Sequence, residues 1–268
     1  MDFTLDNPFK AALAAGRTQI GLWTSFADPY AIEIVASAGY DWLLIDGEHA
    51  PNDVPRILAQ LQAVQAYPTH AVVRPPEGSA VLIKQYLDLG AQSLLIPSVE
   101  TAQQARDLVA ATRYPPNGIR GVASARASRW GAIPDYFTRA DASVCLLLQI
   151  ETAKGLDHLD AMLDVDGVHG FFIGPSDLSA ALGYLGQPGH PAVIERIRAA
   201  IAKIVARGKA AGILCADPAL ARTYLECGVT FCAVGVDTML LAQTTRQLAR
   251  QFKETLPQLP PRAPGATY

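Results

Sequence analysis

Leu43-Leu44-Ile45-Asp46-Gly47-Glu48-His49 decides the fold. An apolar run that opens at Trp42 stops abruptly in a glycine turn carrying acidic and imidazole groups. The run reads as a short buried strand. Strand ends that deliver polar chemistry are what an α/β barrel presents on its active face. The same event recurs along the chain.

Strand-like runs lie at Ile20–Trp23, Trp42–Ile45, Ala71–Val73, Ser93–Ile96, Val144–Ile150, Gly170–Ile173, Ala210–Leu214 and Thr230–Val234. Helical patterns separate most of them. Asp28-Pro29 reads as an N-cap followed by proline in the first turn, with Gly39 as the stop. Val54–Ala66 carries apolar residues at 54, 57, 58, 61 and 64, a helical spacing. Further helices are expected at Ala80–Leu89, Thr101–Thr112, Pro191–Ala206, Pro218–Cys227 and about Thr238–Phe252. Residues 113–133 break the rhythm with turn chemistry and then Arg120, Arg126 and Arg129 among small residues. A long irregular excursion in a compact domain is more often functional than idle. Eight strands alternating with helices predict a (β/α)8 TIM barrel, α/β in class. Residues 1–255 form its single domain, and 256–268 a Pro-rich tail extended over the surface. No Gly-x-Gly-x-x-Gly follows the first strand, which argues against a dinucleotide fold.

Half of the 268 residues are apolar and 18% are charged, a globular balance. A net charge of -3 gives no reason to expect nucleic acid or a membrane surface as partner. The N-terminus lacks the pattern of a signal peptide, and no apolar run is long enough to span a bilayer. Cys145, Cys215, Cys227 and Cys232 form no Cys-x-x-Cys pair. They read as reduced thiols of a cytoplasmic protein.

Barrel chemistry gathers at the C-terminal ends of strands. Trp23 ends the first strand, Asp46 and His49 follow the second, and Arg74 the third. Gln149 and Glu151 end the fifth strand, Gly174-Pro175-Ser176-Asp177 follow the sixth, and Leu214 ends the seventh. Glu151 and Asp177 are hard carboxylates with no thiolate nearby, suited to Mg²⁺ or Mn²⁺. The competing reading is a pair of solvated loop carboxylates. Arg74 suits a carboxylate or a developing enolate oxygen, or else an ion pair closing the barrel mouth. His49 is a candidate general base. His70, His158, His169 and His190 have no such company and read as structural. Trp23 and Leu214 are either barrel core or walls of the substrate pocket.

Several stretches in register carry a resemblance. They are Gly39 to His49, Val73-Arg74-Pro75, Lys84 to Ala91, Gln149-Ile150-Glu151, Phe172 to Ser179 and Ala233 to Thr238. Together they resemble the class II pyruvate-dependent aldolases of the 4-hydroxy-2-oxoheptanedioate aldolase type, over nearly the whole chain. The resemblance implies a barrel of the phosphoenolpyruvate/pyruvate-domain type. It also implies cleavage of a 4-hydroxy-2-oxo acid into pyruvate, or a close 2-oxo acid, and an aldehyde. A divalent metal (Mg²⁺, Mn²⁺ or Co²⁺) would serve without an organic cofactor. Glu151 and Asp177 match the metal ligands, His49 the base, and Arg74 the transition-state stabiliser. Asp88 matches the partner that raises the histidine's basicity, and Asp46 joins the catalytic group. Gln149 and the backbone of Gly174, Pro175 and Ser176 match the groups around the oxo acid. A homo-oligomer, a hexamer in the family, is implied too. The loop Ala123–Ala127 is shorter and poorer in glycine than the family's and bears on acceptor choice.

A Schiff-base route needs a desolvated lysine at a strand end, whereas Lys84, Lys154, Lys203 and Lys209 fall on helices or their flanks. Two other functions stand beside the aldolase. One is a related metal-dependent lyase acting on another oxo acid or an acyl-CoA. The other is a non-catalytic barrel that binds a carboxylate ligand. Topology adds a last expectation. Asp88 ends the helix that returns to the N-terminal face, so it can reach a His49 only across a subunit contact.

Overall fold

The computed structural model describes residues 5–255, so the tail expected at 256–268 lies outside the described residues. Eight strands pair in parallel, each with the next, and the last with the first: β1 (Gln19–Thr24), β2 (Trp42–Asp46), β3 (His70–Arg74), β4 (Ser93–Ile96), β5 (Cys145–Ile150), β6 (Gly170–Ile173), β7 (Ala210–Leu214) and β8 (Val229–Val236). This is the closed (β/α)8 barrel that the alternation predicts. The helices are α1 (Pro8–Ala14), α2 (Pro29–Ala36), α3 (Val54–Val64), α4 (Ala80–Asp88), α5 (Ala102–Thr112) and α6 (Tyr136–Ser143). They continue as α7 (Ala153–Asp157), α8 (Leu159–Leu163), α9 (Pro175–Ala181), α10 (Pro191–Ala206), α11 (Pro218–Glu226) and α12 (Asp237–Thr255).

Local chemistry sets the boundaries. Asp28, Asp53 and Asp217 each accept backbone N–H bonds at the starts of α2, α3 and α11, with proline in the first turn. Thr101 caps α5 in a reciprocal box with Gln104, so that helix begins one residue later than its pattern suggests. Gly90 takes φ +92 just after α4, where a side chain would be strained. Val144 terminates α6 instead of opening β5, and Arg74 lies within β3.

Strand periodicity then divides the core. Along β2, Leu43 and Ile45 join the layer between sheet and helices, while Trp42 and Leu44 point into the barrel. The interior is filled by Trp23, Trp42, Leu44, Val72, Leu147, Phe172 and Phe231. Large rings fit because small residues face them. A Cβ on Gly21 would lie 2.3 Å from the Trp42 ring, and one on Gly212 would lie 2.2 Å from Phe231. Helix α1 closes the N-terminal end. Its Phe9 stacks on His70 at 5.4 Å and meets Phe231 edge-on. Burial pushes the His70 imidazole down to about 4, which agrees with its structural reading.

The inward register continues to the C-terminal rim. Two residues beyond Leu44 comes Asp46, and two beyond Val72 comes Arg74. Two and four beyond Leu147 come Gln149 and Glu151. The packing rule that fills the barrel therefore also aims these polar groups inward at its mouth.

Candidate active site

Asp46 is the hub of the rim. Its carboxylate accepts two bonds from Arg74, Nε at 2.9 Å and Nη2 at 2.7 Å. Trp23 Nε1 donates to it at 3.0 Å, and the backbone N–H groups of Glu48 and His49 add 3.0 and 3.3 Å contacts. Burial opposes its charge, but Arg74, with the Trp23 and Glu48 N–H groups, holds the carboxyl below its ordinary range. Arg74 is 4% exposed, and its guanidinium carbon stands 4.7 Å from the centre of the Trp23 ring. Its Nη1 lies 2.7 Å from Glu48 Oε2, an ion contact without hydrogen-bond alignment. Arg74 thus forms the ion pair of the second reading, and that pair fixes the guanidinium at the mouth.

Across the mouth, Glu151 is 4% exposed. Its Oε1 accepts from the N–H of Ser98 at 2.8 Å and the hydroxyl of Ser98 at 2.9 Å. Its Oε2 accepts from the Gln149 amide. The other end of that amide, Gln149 Oε1, is buried with no partner. Gly174 makes the space, since a Cβ there would sit 2.7 Å from Glu151 Oε2. Glu151 also acts on Glu48: burial, with help from the nearby Glu151 charge, raises the Glu48 carboxyl above its ordinary value despite Arg74. The Arg74 and Glu151 halves therefore share one field.

Gly174 is the N-cap of α9, Pro175 and Ser176 open that helix, and Asp177 sits exposed in its first turn. Because β5 and β6 are neighbours, Glu151 and Asp177 leave adjacent strands at the same rim. Leu214, half-buried at the end of β7, packs against the interior cluster that includes Trp23. His49 is 66% exposed at its side chain, with Nε2 3.9 Å from Glu48 Oε2. Asp88 is not in this group. It ends α4 on the N-terminal face and pairs with Arg120 at 2.9 Å.

Sequence reasoning missed Glu48, Ser98 and Asp237. Glu48 stands inside the Asp-Gly-Glu-His stretch, and Ser98 follows Pro97 at the end of β4, so the strand-end rule could have found both. Asp237 opens α12, and its buried carboxylate accepts from the Ser25 N–H at 2.9 and 3.0 Å. It ties the exit of β1 to that of β8, a contact between segments 212 residues apart that no local pattern reveals.

The chain is similar to known proteins along most of its length. The model of the HpcH/HpaI aldolase/citrate lyase family matches residues 19–244. The chain belongs to the HpcH/HpaI family. A hydroxypyruvate/pyruvate aldolase of Deinococcus radiodurans is 64% identical over 252 residues, 93% of this chain and 91% of its own. A 4-hydroxy-2-oxo-heptane-1,7-dioate aldolase of Salmonella arizonae is 58% identical over 250 residues, 92% of this chain and 95% of its own. Among solved structures, an HpcH/HpaI aldolase/citrate lyase family protein from Burkholderia cenocepacia superposes with a TM-score of 0.89 at 39% identity. That match covers 92% of this chain and 99% of the other.

Proposed function

We infer that the rim site makes and breaks a carbon–carbon bond beside a 2-oxo acid. The protein is a carbon–carbon lyase, an aldolase acting on 2-oxo acids. The substrate proposed here is a 4-hydroxy-2-oxo acid, cleaved to pyruvate or a close 2-oxo acid and an aldehyde. The buried Trp23–Asp46–Arg74 clamp beside the Glu151 carboxylate carries this reading.

The donor set fits a hard divalent cation. Glu151 and Asp177 are oxygen ligands, and Gln149 Oε1 is a buried acceptor without a partner. Two protein carboxylates would leave coordination positions for waters and the substrate. Glu151 and Asp177 would hold Mg²⁺, Mn²⁺ or Co²⁺. Bound there, the cation supplies Lewis-acid polarisation of the 2-oxo group. The reading calls for no organic cofactor.

The chain's own groups do the rest. Gln149 and the backbone at Gly174–Ser176 orient the oxo acid. His49, directly or through a water, takes the proton from the C4 hydroxyl as the C3–C4 bond breaks. Arg74 faces the oxygen on which the enolate charge develops. Asp46, Glu48 and the Trp23 ring hold it there before the reaction, so little reorganisation is needed. Lys84 and Lys154 lie in α4 and α7, Lys203 lies in α10 and Lys209 just after it. Lys154, three residues beyond Glu151, is exposed and paired with Glu100 at 2.9 Å, not the desolvated lysine that a Schiff base requires.

Asp88 joins the site through a second copy of the chain. It lies on the opposite face from His49 within one subunit, so the pairing requires a neighbour. The stripe Leu241, Leu248 and Phe252 on α12 is exposed, which supports an oligomer, proposed as a hexamer. Four free cysteines and the absence, among the described residues, of a helix able to cross a membrane fit a cytoplasmic enzyme.

Exchange of the pyruvate methyl protons with deuterium tests the division of labour. Arg74→Ala should lose exchange and aldol cleavage together, because both pass through the enolate. His49→Ala should lose cleavage far more than exchange. Small, equal effects of both substitutions would remove these residues from the mechanism.

A further inference from the structure

The turn that carries Glu48 and His49 runs from the end of β2 to the start of α3. The His49 side chain is 66% exposed and makes no hydrogen bond among the described residues, so the backbone of the turn decides where the imidazole stands. On its leading side the turn is held by Asp46, whose Oδ1 accepts from the Glu48 and His49 N–H groups. The Gly47 N–H adds a bond to the Arg74 carbonyl at 2.8 Å. On its trailing side the turn is held by two side-chain amides. Asn52 Nδ2 donates to the Asp46 carbonyl at 2.6 Å and so closes the turn on itself. Gln60 Nε2, from α3, donates to Asn52 Oδ1 at 2.6 Å and to the Arg56 carbonyl at 3.1 Å.

Gln60 breaks the apolar pattern of its own helix. The buried residues of α3 are Ile57, Gln60, Leu61 and Val64, and Gln60, 1% exposed, is the polar one among them. Taking a primary amide out of water is unfavourable unless it is bonded, and a Leu or Met would fill the same space without that penalty. The start of α3 does not need it either. Asp53 already caps that helix by accepting from the Arg56 N–H at 2.9 Å, with Pro55 in the first turn. What the amide supplies is a connection. One end of the relay is fixed beside Ile57 and Leu61 in the packed layer between sheet and helices. The other ends on the carbonyl of Asp46, the residue from which the catalytic turn departs.

We propose that Asn52 and Gln60 are positioning residues for carbon–carbon bond cleavage. Their relay of amides ties the turn at 46–52 to α3 and so holds His49 where its imidazole reaches the C4 hydroxyl. A group carried on a loop keeps a working geometry only when a rigid element supports it. The relay acts on His49 and not on Arg74. The guanidinium has its own supports in the Asp46 carboxylate, the Trp23 ring and β3, none of which depends on Gln60. Loss of the relay should therefore impair the step that needs the base and spare enolate formation. The relay matters to the reaction only through His49, so it rests on the reading of His49 as the base.

Gln60→Met keeps the shape of the side chain and removes its donors, and Asn52→Ala cuts the relay at the half-buried loop if the first variant does not fold. Aldol cleavage, deuterium exchange into the pyruvate methyl and urea midpoints are measured for both, beside His49→Ala and the double variant Gln60→Met with His49→Ala. Cleavage kcat should fall about tenfold or more, the scale of a slightly misplaced catalytic group. Exchange and the KM for the oxo acid should stay at wild-type values. Gln60→Met should keep the wild-type urea midpoint, because an apolar chain replaces a buried amide. The double variant should be no slower than His49→Ala alone, as expected when one residue acts through the other. A purely structural role would lower cleavage and exchange together and add its loss to that of His49→Ala, and either result overturns the proposal. Undiminished cleavage in the relay variants beside an impaired His49→Ala overturns it too. Undiminished cleavage in His49→Ala sinks the base assignment itself, and the relay with it.

Discussion

Asp46 shows how one carboxylate organises a site. It aligns Arg74, anchors the Trp23 indole and caps the turn that carries Glu48 and His49. Asp46→Asn presents an N–H group to a guanidinium that can only donate. We expect kcat to fall on the order of 10²-fold while the barrel persists, the scale seen when a preorganised charge-stabilising group is disturbed. The pH dependence has a definite sign. The Asp46 carboxyl is depressed in the folded protein, so its contribution to stability is present above the unfolded value, ~3.9, and is lost as pH falls through the lowered folded value. Urea midpoints from pH 7 to pH 3 should therefore fall less steeply for Asp46→Asn than for wild type. Equal slopes would show that Arg74 does not hold this proton off. At this scale the sequence made much legible. Trp23, Asp46, Arg74, Gln149 and Glu151 all end inward-facing registers, so the strand-end rule reaches them. Ser98 and Glu48 follow strand ends within reach of the same rule, but their contacts with Glu151 and Arg74 depend on the path of their loops, which spacing does not encode.

Among elements, the strands were readable because each is a short apolar run bounded by turn residues, and their edges moved by no more than two residues. Helix α1, with 7 residues, and α7 and α8, with 5 each, were missed because so short a stretch shows barely a turn of periodicity. Helix α6 was missed for another reason: Asp135, in the left-handed region, begins it without a capping bond. Two glycines, Gly21 within β1 and Gly174 just after β6, separate folding from function when substituted. Gly21→Ala drives a methyl into the Trp42 ring at the centre of the barrel and should destabilise by about 1–3 kcal/mol, read as a lower urea midpoint. Gly174→Ala instead pushes on Glu151 and Gln149 at the rim. It should keep most stability yet raise the metal concentration needed for half-activity about tenfold or more. A Gly174→Ala enzyme with wild-type metal dependence would place the cation elsewhere.

The whole molecule presents two faces with opposite chemistry. The C-terminal face holds Asp46, Arg74 and Glu151, while the N-terminal face holds Asp88 with its arginines. Our reading needs both, because Asp88 serves His49 only from a neighbouring copy. Mixed oligomers of His49→Ala and Asp88→Ala subunits should recover activity that neither parent has. A fully active wild-type monomer, or no recovery despite verified subunit exchange, would leave Asp88 as the structural partner of Arg120 alone. This arrangement was legible only as a contradiction: helix direction puts Asp88 on one face, and the family resemblance assigns it to a histidine on the other. The central claim is narrower, that the carboxylates beside the Arg74 clamp work with a divalent cation in a class II aldol cleavage. Pyruvate release from a 4-hydroxy-2-oxo acid, followed in excess chelator and after adding back Mg²⁺, Mn²⁺ or Co²⁺, tests it most directly. We predict complete loss and full restoration, whereas undiminished release in chelator, or a lysine adduct trapped by borohydride, would contradict it.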